Sequence, residues 1–184
     1  MLGKNKGSEF ERYICKELSL WITQKERDDI FWRSHSSGGR FSYRIKLGKS
    51  TYNQSGDITN IHPIGDTLLK YFTFELKFYK NVSLWHLLSD DTANKGNNIP
   101  IWWEKLKKDC SLKNKTPVLI VKRNYKPILM ITNELFSDFL KKHFNLSYKV
   151  KWNNNIENAY FFLFLDLLKL DSKKFSEELQ KGLK

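Results

Sequence analysis

The chain has 184 residues, 40% of them hydrophobic and 28% charged, which is enough apolar content to bury a core and too much for a wholly disordered chain. Its 32 Lys and Arg against 20 Asp and Glu leave a formal net charge of +12, the balance expected of a domain that meets a polyanion. No apolar run reaches the roughly 18 residues of a membrane span, the opening MLGKNKGSEF lacks the apolar stretch of a secretory leader, and two cysteines are too few for a disulfide scaffold or a Cys₄ zinc site, so a reduced, cytoplasmic protein is expected. The lysines are scattered and do not gather on one amphipathic helix, which favours nucleic acid over a membrane surface as the polyanion.

Leu2 to Ile22 is predicted to be a helix, because Phe10, Tyr13, Ile14, Leu18, Trp21 and Ile22 recur at helical spacing. Ser8 with Glu11 three residues on has the form of a capping box. Phe31 to Ser34 reads as a short strand, Ser36-Ser37-Gly38-Gly39 as a flexible loop, and Phe41 to Asp57 as polar strand and loop broken at Gly48. Tyr71 to Tyr79 alternates: Phe72, Phe74, Leu76 and Phe78 fall on one face, Tyr71, Thr73, Glu75, Lys77 and Tyr79 on the other, so it is a strand with an apolar core face. Pro63-Ile64-Gly65-Asp66 is a turn signal and Asp57 to Ile61 a plausible strand, so Asp57 to Tyr79 is expected to form an antiparallel hairpin.

Ile99 to Leu112 reads as a helix opened by Pro100, Pro117 to Arg123 as a buried strand, and Ile128 to Thr132 as its hairpin partner across Asn124-Tyr125-Lys126. Asn133 caps a helix bearing Leu135, Phe136, Phe139 and Leu140, and Tyr148 to Trp152 alternates again. Ala159 to Leu170 fits either a strand or a buried helix, and Asp171 or Ser172 caps a terminal helix. The expectation is one α+β (mixed α/β) domain over residues 1–184, a central mixed sheet flanked by helices.

In a chain this rich in lysine an acid-x-Lys triplet arises by chance, and there are two, Glu75-Leu76-Lys77 and Asp171-Ser172-Lys173. The second sits at a polar helix start and needs no function. The first places Glu75 and Lys77 on the face of the strand opposite its core side. Asp57 and Glu75 are each nine residues from Asp66, so a hairpin turning there would set them opposite one another. Facing carboxylates repel unless something compensates them, and a divalent cation does so through hard oxygen ligands, water and phosphate. A lysine beside such an ion can position or deprotonate water, or take up charge on a phosphorane. Glu11 falls between Leu18 and Ile22 on the helical wheel, on the packing face, although capping also accounts for it.

Gly7-Ser8-Glu9-Phe10-Glu11-Arg12, Arg33-Ser34, Ser37-Gly38, Gly56-Asp57 and Glu75-Leu76-Lys77 together resemble the PD-(D/E)xK nuclease superfamily, most of all archaeal-type Holliday junction resolvases and their phage-encoded relatives. The resemblance covers residues 3–80, with an echo in the strand from Pro117 to Arg123. It implies a restriction-endonuclease-like fold, with core motifs in residues 7–80 and the sheet completed by residues 99–184. By it Glu11 is the helix-borne acid, Asp57 and Glu75 are metal ligands with Glu11 near the ion, Lys77 is the catalytic lysine, and Ser37 or Ser36 helps hold the scissile strand. It also implies magnesium with manganese able to substitute, a homodimer, and paired incisions in branched DNA inside a bacterial, archaeal or phage-infected cell. Gly56 stands where the family has proline, and Gly permits the same sharp turn.

Arg12, Arg33, Arg40, Arg44, Lys122 and Arg123 are candidate DNA contacts. Asp66 is a lesser candidate for the superfamily aspartate. His35, His62, His86 and His143 lack metal-ligand spacing, and Cys15 and Cys110 read as inert core thiols. Trp102-Trp103 among Lys105, Lys107 and Lys108 fits core tryptophans beside a solvated lysine face better than base stacking. No Walker loop or dinucleotide fingerprint occurs, so no nucleotide cofactor is expected.

Overall fold

The computed structural model describes residues 2–34, 56–80, 99–143, 148–151 and 158–182. Helix α1 is Leu2–Ile22. It begins at Leu2, so Ser8 lies inside the helix and does not cap it. No proline interrupts the preceding residues, and a cap preference of about 1 kcal/mol does not stop a helix that can continue. Strand β1 (Phe31–Arg33) follows, joined to α1 by Ser19, a buried residue whose hydroxyl donates to Cys15 O (2.7 Å) and accepts from Ile30 N (3.1 Å) and Phe31 N (2.9 Å).

The expected Asp57–Tyr79 hairpin does not form. Strand β2 (Ile58–Asn60) pairs with β1 instead, antiparallel, with Arg33 opposite Ile58. The turn signal at Pro63 is real but becomes a 3₁₀ turn, Pro63–Gly65, in which His62 Nδ1 accepts from Ile64 N at 3.3 Å. The turn runs directly into helix α2 (Asp66–Leu69), which buries Leu68 and Leu69. That helical crossover carries the chain back to the level where the segment began, so β3 (Phe72–Tyr79) passes Gly56 in the parallel sense.

Strand β3 also pairs in parallel with β4 (Thr116–Arg123), from Phe72 beside Thr116 to Tyr79 beside Arg123. Strand β4 pairs antiparallel with β5 (Leu129–Thr132), as the sequence predicts. The sheet continues through β7 (Asn158–Leu163) to β6 (Tyr148–Lys151), in the order β3-β4-β5-β7-β6. The two alternatives for Ala159 to Leu170 are both present, because β7 is followed at once by α5 (Phe164–Leu167). Among the described residues this is an α+β, restriction-endonuclease-like architecture: a mixed sheet with helices on both faces.

The larger core joins Phe72, Phe74 and Leu76 of β3 to Phe10, Ile14 and Leu18 of α1, to Phe136 and Phe139 of α4 (Glu134–Lys141), and to Phe175 of α6 (Ser172–Gly182). The cap readings hold at both of these later helices: Asn133 Oδ1 accepts from Phe136 N at 3.2 Å, and Asp171 Oδ1 accepts from Lys173 N and Lys174 N at 2.9 and 3.0 Å. Trp21 Nε1 donates to Leu170 O (2.8 Å), tying α1 to the C-terminal segment. The smaller core lies on the opposite face, where Ile99, Trp103, Leu106 and Cys110 of α3 (Ile99–Ser111) cover Leu119, Val121 and Ile131. No helix among the described residues is long and apolar enough to cross a membrane.

Ser19→Ala leaves two buried amides without an acceptor. It is expected to cost about 2–4 kcal/mol, read as a lower urea midpoint with an unchanged m-value.

Candidate active site

The centre of the site is a hook between Gly56-Asp57 and the edge of β3 that faces away from β4. Asp57 N donates to Phe74 O at 2.8 Å, and Leu76 N donates to Asp57 Oδ2 at 2.8 Å. The carboxylate thus satisfies an edge amide while lying beside Glu75. Ser34 braces the same turn: its hydroxyl donates to Gly56 O (2.8 Å) and its amide to Asp57 O (2.9 Å). Gly56 has φ +84°, which proline cannot adopt, and a Cβ there would sit 2.2 Å from Phe74 O. Glycine at position 56 is therefore required by the close approach of two backbones, and the expectation that it makes the same turn as a proline does not hold, because this backbone conformation is closed to proline.

Glu75 and Lys77 project from the face of β3 that α3 only partly covers. Thr73 is buried beneath α3 at 1% exposure, whereas the Glu75 and Lys77 side chains retain 20% and 23% and pair with each other through Lys77 Nζ and Glu75 Oε1. Arg33 Nε donates to Glu11 Oε2 at 2.9 Å, so β1 holds the α1 carboxylate beside this cluster.

Burial pushes the Asp57 carboxyl up to about 7, with Glu75 and then Glu11 adding repulsion that the Leu76 amide and Lys77 only partly offset. Burial alone would depress Lys77, but Glu75, by charge and hydrogen bond, and Asp57 hold it above the usual lysine value. Lys77 is therefore an ammonium. It can donate hydrogen bonds and absorb negative charge, and in this state it has no lone pair with which to act as a base.

Asp57 and Glu75 fit a hard divalent cation: both are oxygen donors, they are adjacent, and their mutual repulsion raises the cost of leaving both ionised. Among the described residues no group of three or more His, Cys, Asp and Glu could hold an ion by itself. One or two carboxylates completed by water and phosphate are what magnesium commonly takes. Glu11, the third candidate ligand, is engaged by Arg33.

The other candidates are placed as follows. Arg12 is exposed on α1 next to Glu11. Lys122 and Arg123 end β4, level with Phe78 and Tyr79. Asp66 begins α2 and accepts from Asn60 Nδ2 at 3.1 Å, a helix-start role away from the Asp57 hook. Ser36, Ser37, Arg40, Arg44, His35 and His86 lie outside the described residues. His62 and His143 serve local structure, His143 pairing with Glu178 at 3.1 Å. Cys15 and Cys110 are buried thiols pushed up to about 12 and about 11, chiefly by burial, so both stay protonated. Sequence reasoning missed the brace at Ser34 and the anchor at Ser19. Ser34 stands in the Arg33-Ser34 pair already noted, but nothing local says that its partner is the Gly56 carbonyl.

Gly56→Ala is expected to destabilise the fold by at least about 2 kcal/mol and to detach Asp57 from β3, seen as a lower Tm. The Asp57 shift sets a pH dependence. A carboxyl with a folded value near 7, against an unfolded value of 3.8, contributes stability below the lower value and loses it as pH rises through the upper one. Asp57→Asn abolishes that slope, so in EDTA its Tm advantage over wild type is expected to grow from pH 5 to pH 8.

The family described as "Phage putative PDDEXK endonuclease" matches residues 3–180 of the chain. No curated protein and no solved structure matches it. The match spans nearly the whole sequence, including the described acid–lysine cluster and the sheet that carries it, and the chain belongs to this phage PDDEXK endonuclease family.

Proposed function

We propose that the protein is a magnesium-dependent endonuclease that cuts branched, four-way DNA junctions. Asp57 and Glu75 are its metal ligands, Lys77 its catalytic lysine and Glu11 an accessory acid held by Arg33. The observation that carries the reading is the hook at Gly56-Asp57, which brings an aspartate from one segment against a Glu-x-Lys strand from another. The family is a nuclease family, and the +12 charge suits a DNA substrate.

The bound ion would supply Lewis-acid activation of the phosphodiester and of a nucleophilic water. Lys77, already charged, would donate to a non-bridging phosphate oxygen and offset the negative charge that develops in hydrolysis. Arg33 would fix the Glu11 carboxylate at the rim of the cluster. Arg12, Lys122 and Arg123 would contact phosphates, and so would Arg40 and Arg44, with Ser36 or Ser37 against the scissile strand. We read residues 1–184 as one domain that acts as a homodimer, because a four-way junction has two-fold symmetry and two sites cut two strands alike.

A panel of four-way junction, flap, continuous duplex and single-stranded DNA at equal salt tests the substrate. The junction is expected to be cut fastest with magnesium, and preferential cutting of another member would replace the junction reading. Asp57→Asn and Glu75→Ala are expected to abolish cutting while gel-shift binding persists, and Lys77→Met to slow it about a hundredfold or more. Near wild-type cutting by either acid variant would overturn the ligand assignment. Binding of DNA with no product on any substrate would mark a basic DNA-binding module without catalysis.

A further inference from the structure

The face of β3 that bears Glu75 and Lys77 continues to Tyr79, two residues and roughly 7 Å further along the strand. The Tyr79 ring stacks on Trp102 of α3, with centroids 4.9 Å apart and planes 17° from parallel. Both rings are half-buried, their inner sides packed against the smaller core. The Trp102-Trp103 pair is thereby divided: Trp103 is core at 1% exposure, and Trp102 is the partly exposed member beside the cluster. Arg123 is level with Tyr79 on the neighbouring parallel strand, which puts it on the same face, and it is exposed. Lys105, one helical turn beyond Trp102, is exposed as well. A rigid aromatic pair bordered by cations and one strand step past the acid–lysine cluster has the composition of a surface that stacks a nucleobase and neutralises its phosphate.

We propose that the Tyr79–Trp102 pair is a base-stacking shelf that receives a nucleobase next to the phosphate under attack, and that it directs the enzyme to DNA whose base stack is interrupted. In continuous duplex both faces of every base are already covered. A free base face exists only at a branch point, a nick, a terminus or in a single strand. The shelf therefore gives a physical reason for preferring branched or unpaired DNA over plain duplex. This deepens the nuclease reading and rests on it for the position of the cut. The stacking itself can be measured without cutting.

The test is fluorescence anisotropy in EDTA, with a labelled thymidine oligonucleotide and an all-abasic strand of the same length. Wild type is expected to bind the thymidine strand about tenfold more tightly, the worth of one stacked base. Trp102→Leu keeps apolar bulk but loses the stacking face. It is expected to lower thymidine-strand affinity to that of the abasic strand and to leave abasic binding unchanged, a non-additive cycle that a purely structural role does not produce. Trp102→Phe should retain affinity within about threefold. Equal binding of the two strands by wild type overturns the proposal even if Trp102→Leu fails to fold, and so does a Trp102→Leu loss of equal size on both strands. The nuclease reading fails separately, when wild type cuts no DNA with a divalent ion. A wild type that discriminates the strands but cuts none sinks that reading and leaves the shelf standing.

Discussion

The site depends on one close backbone approach: the chain at Gly56 running against the edge of β3. Two hydrogen bonds, Asp57 N to Phe74 O and Leu76 N to Asp57 Oδ2, convert the edge of β3 away from β4 into a seat for a carboxylate. Edge amides are ordinarily a liability that needs covering. Here a side chain covers one, and in doing so it takes a fixed place beside Glu75. The absence of a side chain at Gly56 makes the approach possible.

The surroundings hold that approach in place. Ser34 holds the carbonyls of both Gly56 and Asp57, β1 is fixed to α1 by the Ser19 hydroxyl, and Arg33 on the same strand reaches Glu11. Helix α1 is thus both a wall of the larger core and the support of an acid at the site. The electrostatic consequence is a cluster of three carboxylates, Asp57, Glu75 and Glu11, against two cations, Lys77 and Arg33. Such a cluster favours a proton or a cation at Asp57 and keeps Lys77 charged.

The elements legible in the sequence were those fixed by local chemistry. The α1 stripe, the alternation of Tyr71 to Tyr79, the β4–β5 hairpin and the caps at Asn133 and Asp171 depend on periodicity and turn residues that a short window contains. The hairpin inferred for Asp57 to Tyr79 failed because Pro63-Ile64-Gly65-Asp66 fits a tight turn and a helix start equally well. The choice was made by burial of Leu68 and Leu69. Asp57 still lies beside Glu75, but through a parallel bridge at Gly56 and not through opposed antiparallel partners.

By itself the sequence determined the residue types of the site: an acid on α1, a Gly-Asp pair, and an acid and a lysine two apart on a strand. It did so because strand alternation and helical spacing are properties of the chain a few residues at a time. Only the tertiary structure decided how they meet: Arg33 on Glu11, Ser34 on Gly56, α3 over Thr73 with Glu75 and Lys77 left partly exposed, Trp102 against Tyr79. Those contacts join segments far apart in the chain. Their geometry follows from which faces the two cores bury, and no local pattern encodes that.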